Sequence, residues 1–177
     1  YVVAKAEKSG ALVVMDEAYA AYCGANYRPW IASKPNVAVL GTLSKIGLAA
    51  LRVGWLAGTE ELVREVDKVR QPYNLPTLSQ AIATTALTEF EHEMNTMVQQ
   101  VCSERVRLSA ELESLGYGVT KSDANLLWVK TAGPAERVFE QLKTKGVLVR
   151  SFHQRGGRLG SQLRITIGSI EENNTLL

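Results

Sequence analysis

The sequence predicts an α/β protein in two parts: a mostly parallel sheet sandwiched by helices, then a small α/β domain. Three observations lead there. Short apolar runs bounded by turn residues have the length and composition of buried strands. Amphipathic stretches with recognisable caps separate and follow them. Beyond Gly116, strand and helix patterns alternate again over a shorter span.

The opening segment YVVAKAEKSG reads as the last turns of a helix closed by Gly10. ALVVMDEAY follows, and its apolar run reads as a fully buried parallel strand ending at Asp16. A polar loop with Pro29 and Pro35 leads to VAVLG (37–41), a second such strand ending at Thr42. RVGWLAG (52–58) reads as a third. A parallel crossover needs about a dozen residues or more, and the link from Lys45 to Leu51 is too short for one. The third strand is therefore expected to run antiparallel to the second. Asp16, Thr42, Ser44, Lys45 and Arg52 then gather at one sheet edge, where carboxyl ends of parallel strands place ligands.

TEELVREVDKVRQ is an amphipathic helix with Thr59 as its cap, and PYNLP breaks it. From Thr77 to Leu115 runs a long, interruptible helical pattern. Phe90, Met94, Met97, Val101, Leu108, Leu112 and Leu115 fall on one face. LLWVK (126–130) reads as a strand, and PAERVFEQLKTKG as a helix between Pro134 and Gly146. VLVR and LRITIG read as two further strands. In the latter, Leu163, Ile165 and Ile167 share one face and Arg164 and Thr166 the other. Ser169 and Glu172 have capping-box spacing, so a helix is just beginning where the segment stops. Ends that fall inside elements suggest a piece of a longer polypeptide.

Composition narrows the function. A formal net charge of +2 and 46% hydrophobic residues give a real core but no basic footprint for nucleic acid or a membrane surface. Cys23 and Cys102 form no metal or redox motif and suit a reducing cytoplasm, and no signal peptide opens the segment. His92 and His153 lack partners at metal spacing and read as surface or structural residues. No metal site is expected.

The stretch GTLSKIGLAALRVGW (41–55) is the informative one, because cations are normally excluded from apolar segments. Lys45 and Arg52 either escape to solvent or meet something anionic and electrophilic. A P-loop is ruled out, since the glycines it needs before Lys45 are absent.

DEAY, TLSK followed by GLAALRVGW, PYNLPTLSQ, and LRITIG with EEN after it resemble the fold-type-I aminotransferases, a pyridoxal-phosphate family, and within it the histidinol-phosphate branch. The resemblance covers essentially the whole sequence, with the motifs in the family's order. It implies the pyridoxal-phosphate transferase type I fold. Residues 1–76 would close the large domain, 77–115 form a long connecting helix, and 116–177 a truncated small domain.

The resemblance also implies roles. Lys45 would carry the cofactor and shuttle the substrate proton. Asp16 would face the pyridine nitrogen as a buried anion, and Tyr19 would bond the phenolic oxygen. Thr42, Ser44 and Arg52 would hold the phosphate, although the step from Lys45 to Arg52 is one residue shorter than in many members. Arg164 would clamp a substrate carboxylate, and Arg150 would contact a distal phosphate. Asn125 and Tyr73 fit either pocket-lining or turn positions.

The implied reaction is amino transfer between L-histidinol phosphate and 2-oxoglutarate in histidine biosynthesis, by a cytoplasmic homodimer without nucleic-acid or membrane partners. Threonine-phosphate decarboxylation and transfer on aromatic amino acids are rivals within the cofactor class. A non-catalytic, cofactor-sensing regulatory module is the rival from another class. A segment lacking the family's first half is also open to being silent by itself.

Overall fold

The apolar run beginning at Val37 becomes the middle strand of a three-stranded sheet. The computed structural model describes residues 1–177 and divides them into two units, Tyr1–Asn95 and Thr96–Leu177. In the first unit, β1 (Val13–Asp16) lies parallel to β2 (Val37–Thr42), and β2 is antiparallel to β3 (Gly54–Ala57). The short link thus reverses the chain direction as its length requires. Val37, Ala38 and Val39 are completely buried, and α1 (Val2–Lys8) closes over Val37 and Val39 through Val3. Gly10, at φ 67°, ends that helix, with its N–H donating to the Glu7 carbonyl at 3.1 Å.

The expectation of full burial fails for β1. Its burial alternates, with Val14 47% exposed, because successive strand side chains point to opposite faces and only the face of Val13 and Met15 is covered. The expected loop between β1 and β2 contains two short helices, α2 (Ala20–Cys23) and α3 (Arg28–Ser33). Pro29 sits in the first turn of α3, where its missing N–H costs nothing.

Gly41 is required by a close approach. A Cβ there would stand 2.2 Å from the ring carbons of Trp55, its cross-strand partner. The glycine lets the indole lie flat across β2, so the GT that ends this strand is a packing feature as much as a turn.

Thr59 caps α4 (Glu60–Asp67) by accepting the Leu62 N–H. The long helical pattern divides at Phe90 into α5 (Thr77–Glu89) and α6 (Glu91–Ser114). The expected single face divides as well. Leu108 and Leu112 are core residues and Val101 packs against them, whereas Phe90, Met97 and Leu115 are exposed.

The second unit holds a four-stranded antiparallel sheet in the order β4 (Gly118–Thr120), β5 (Leu126–Lys130), β7 (Gln162–Thr166), β6 (Arg150–Ser151). Leu127, Val129, Leu163 and Ile165 point to one face and form the core with Leu108, Leu112 and Ala135, the first residue of α7 (Ala135–Thr144). The expected VLVR strand shrinks to its final residue plus Ser151. Val147 still belongs to the helix end, donating its N–H to the Leu142 carbonyl at 2.9 Å beyond the left-handed Gly146. Such a cap holds the chain away from the sheet until Arg150.

Ser169 and Glu172 form the expected capping box at the start of α8 (Ile170–Leu176). Behind it lies a network the sequence did not announce. The buried carboxylate of Glu104 on α6 receives two hydrogen bonds from Arg107, at 2.9 and 2.7 Å, and one from Asn173 on α8 at 2.8 Å. These donors hold the Glu104 carboxyl below the ordinary carboxylate range, chiefly Arg107 and then Asn173.

Candidate functional site

Six of the eight residues given roles above fall in the first unit, at or just beyond the ends of β1 and β2. Asp16 pairs with Leu40, so β1 ends beside β2 two residues before β2 gives way to the turn that carries Ser44 and Lys45. Thr42 pairs with Gly54, which sets Arg52 and Val53 next to the end of β2. The antiparallel return thus brings Arg52 back to the edge at which Lys45 leaves the sheet.

Thr42 is the brace of this turn. Its hydroxyl donates to the Val53 carbonyl at 3.2 Å and accepts the Ser44 N–H at 3.0 Å. That proton, expected on an incoming phosphate, goes to the protein's own backbone. Leu43, completely buried, donates its N–H to the same Val53 carbonyl at 3.1 Å. An apolar anchor between two polar residues pins the backbone and leaves the Ser44 hydroxyl and the Lys45 amine outside the core.

Lys45 is half-buried, with its ammonium 5.4 Å from the centre of the Tyr19 ring. The Tyr22 hydroxyl donates to the Lys45 carbonyl, tying α2 to this turn. Tyr22 is buried and was not singled out in the sequence. Its one readable signal was its place three residues after Tyr19, on the same side of a helical turn.

Arg52 adopts a left-handed conformation, φ 60° and ψ 29°, after the 3-10 turn Ala49–Leu51. A non-glycine residue there is held against its steric preference, a cost of about 1–3 kcal/mol that is met most often at functional sites. The side chain is exposed, apart from a 3.4 Å hydrogen bond from one guanidinium nitrogen to the Ala49 carbonyl. The cations in the apolar stretch therefore reach the surface, Lys45 partly and Arg52 fully.

Asp16 is also exposed rather than buried, with one carboxylate oxygen accepting the Ala18 N–H at 3.0 Å. The buried acid is its neighbour Glu17, which accepts the Tyr27 N–H and lies 3.4 Å from Arg28 Nε. Glu17 ties α3 to the end of β1 and so fixes the loop that follows Asp16. Tyr73 is almost fully exposed, in a left-handed turn.

In the second unit, Arg164 projects from the exposed face of β7 as its alternation required, and it pairs with Arg150 on β6. Both are exposed. Asn125 is half-buried, and its carbonyl accepts the Ile167 N–H at 3.0 Å. His153 is a structural residue, bonded through Nδ1 to the Ser151 hydroxyl at 2.7 Å. Neither cysteine is in a disulfide, and no group of three or more His, Cys, Asp or Glu could hold a metal ion.

A turn carrying an amine, a hydroxyl and a strained arginine, next to a strand-end carboxylate, is equipped to receive a phosphorylated, anionic cofactor. The chain belongs to the aminotransferase class I and II family, which it matches over residues 1–177. It is 38% identical to histidinol-phosphate aminotransferase 2 of Nitrosococcus oceani, over 97% of this chain and 48% of that protein. It is 40% identical to the histidinol-phosphate aminotransferase of Aquifex aeolicus, over 95% of this chain and 48% of that protein. The fold matches that of the Sinorhizobium meliloti histidinol-phosphate aminotransferase in complex with pyridoxal 5'-phosphate, with a TM-score of 0.82 over 99% of this chain and 50% of that one, at 24% identity. The chain thus spans about half the length of the relatives it matches.

Proposed function

We propose that the chain supplies part of a pyridoxal-phosphate-dependent aminotransferase that moves an amino group between L-histidinol phosphate and 2-oxoglutarate. The observation that carries this reading is the Lys45 amine, half-buried beside Tyr19, on a turn braced by Thr42 and Leu43 in a chain whose relatives carry that activity in their names. The donor set fits the cofactor. Asp16 has carboxylate capacity beyond its bond to Ala18, enough to hold a proton at the pyridine nitrogen. Ser44 and Arg52 offer a hydroxyl and a guanidinium to the phosphate, while Thr42 fixes the loop between them.

When bound, pyridoxal phosphate supplies an electron-withdrawing ring that stabilises negative charge at the substrate Cα. Lys45 would hold the cofactor, and its amine would move the substrate Cα proton as general base and then acid. Tyr19 would bond the cofactor's phenolic oxygen through its hydroxyl. Arg164 receives the substrate carboxylate of glutamate and Arg150 the distal phosphate of histidinol phosphate. Residues 1–76 act as the end of the large domain and 116–177 as the small domain, joined by the helical stretch 77–115. The working form is a cytoplasmic homodimer.

The test joins this chain to the first half of the Aquifex aeolicus relative. With pyridoxal phosphate added, borohydride reduction followed by peptide mass analysis should place the cofactor on Lys45. The purified chimera should convert histidinol phosphate and 2-oxoglutarate to glutamate. Lys45→Ala should remove the adduct and lower turnover by at least about a thousandfold, the scale set by loss of a proton-transferring nucleophile. An adduct on another lysine, or turnover that survives in Lys45→Ala, overturns the reading.

A further inference from the structure

The exposed face of the second sheet carries a row of side chains set by strand register. Thr120 pairs with Trp128, Trp128 with Arg164, and Arg164 with Arg150. Directly opposed residues share a face, so the row lies opposite the buried Leu127, Val129 and Leu163. Phe152 packs on Trp128 with ring centroids 4.9 Å apart. The guanidinium carbons of Arg150 and Arg155 each lie 5.9 Å from the centre of the Phe152 ring.

Arg155 reaches this ring because the chain folds back after β6. A 3-10 turn spans His153–Arg155, and the Arg155 N–H donates to the Phe152 carbonyl at 2.9 Å. The Ser151 hydroxyl, bonded to His153 Nδ1 and accepting the His153 N–H, pins the start of the turn. The turn is built, and Arg155 is its last residue.

No carboxylate pairs with Arg150, Arg155 or Arg164. The carboxylate contact nearest in sequence to this segment sets Glu136 3.9 Å from His153 Nε2. Two cations share one ring, and a third stands directly across the strand, an arrangement that repels itself. An aromatic face orders guanidinium groups without neutralising them. A phosphate dianion matches this arrangement, since planar guanidinium groups bind phosphate oxygens two at a time.

We propose that Phe152, braced by Trp128, is a positioning residue that holds Arg150 and Arg155 together as a paired reader of a phosphate dianion, Arg155 being the second cation on the substrate's distal phosphate. The proposal rests on the reading of Arg150 given above and adds Phe152 and Arg155 to it.

Inorganic phosphate titrated into the nitrogen-15-labelled protein near neutral pH, with the arginine Nε–H resonances followed, tests it. The Arg150 and Arg155 signals should shift together and saturate, at lower concentration than with chloride. Phe152→Leu should weaken binding about three- to fivefold, while Phe152→Tyr, which keeps the ring, should bind like the parent. Arg155→Gln, at an exposed position that leaves the core intact, should weaken binding about tenfold. A shift at Arg150 without one at Arg155 overturns the proposal, as does wild-type-like binding by Phe152→Leu or Arg155→Gln. Phosphate binding no tighter than chloride overturns it too. This readout needs no turnover. Phosphate bound as described by a chimera that does not convert histidinol phosphate would sink the enzymatic reading alone; turnover with an unresponsive Arg155 would sink this inference alone.

Discussion

Arg52 holds a backbone conformation that costs the fold stability. Its positive φ suits glycine, which visits that region freely. Arg52→Gly should therefore raise the unfolding free energy of the first unit by about 1 kcal/mol. The same change should weaken pyridoxal phosphate binding by the chimera. Thermal unfolding paired with a cofactor titration reads both effects. Gly41 lies on the opposite side of the same trade. Gly41→Ala would drive a methyl group into Trp55 and should cost about 1–3 kcal/mol, with a shift of the indole fluorescence as the local marker. At this scale the sequence was legible where chemistry is local. Lys45, Ser44 and Arg52 could be singled out because a cation or hydroxyl inside an apolar run needs a reason. The exposure of Asp16 and the burial of Glu17 were not legible, because adjacent strand residues point to opposite faces and only the packed sheet says which face is covered.

Helices and strands are joined here by polar ties as much as by apolar faces. Glu104 on α6 and Asn173 on α8 are 69 residues apart and share a buried hydrogen bond. Asn173 also donates to the Gly168 carbonyl at 3.1 Å and accepts the Gly168 N–H at 3.0 Å. Asn173→Ala removes these partners from a buried carboxylate and a strand end, and should cost the second unit about 2–3 kcal/mol in denaturant unfolding. The pH dependence has a definite sign. The Glu104 carboxyl is lowered by folding, so its stabilisation is fully present above the ordinary carboxylate pKa and is lost as pH falls through the lowered folded value. The parent should lose stability on acidification more steeply than Glu104→Gln, and the gap between the two should close at the acidic end. Flat curves of equal slope would rule this out. The caps of α4 and α8 were readable, because a cap is a pattern of three or four consecutive residues. The division at Phe90 and the shortened β6 were not. Both depend on where the chain is needed next, which periodicity does not record.

Across the whole chain, the two units differ in how much core they own. The second buries Leu108, Leu112, Leu127, Val129, Leu163, Ile165 and Ile167 in one cluster, whereas the cluster of the first holds Val3, Val37 and Val39 with partly buried neighbours, and Leu43 is buried outside it. Local stability follows buried apolar contact, so the amides of Leu127, Val129, Leu163 and Ile165 should be the slowest to exchange with deuterium. Those of β1 and α1 should exchange at least tenfold faster, since β1 is an edge strand and α1 is a two-turn helix resting on one buried valine.

The sequence by itself determined the order of the elements, the reversal between β2 and β3, the helix caps and the gathering of polar and charged side chains near Lys45. Each of these follows from spacing within a few residues, where backbone geometry leaves little choice. Tertiary structure alone decided which strand lies at a sheet edge, which of two neighbouring acids is buried, and that Arg150, Arg155, Arg164, Phe152 and Trp128 share one face. Those outcomes depend on pairings between distant segments, whose register is chosen by the packing of the whole core.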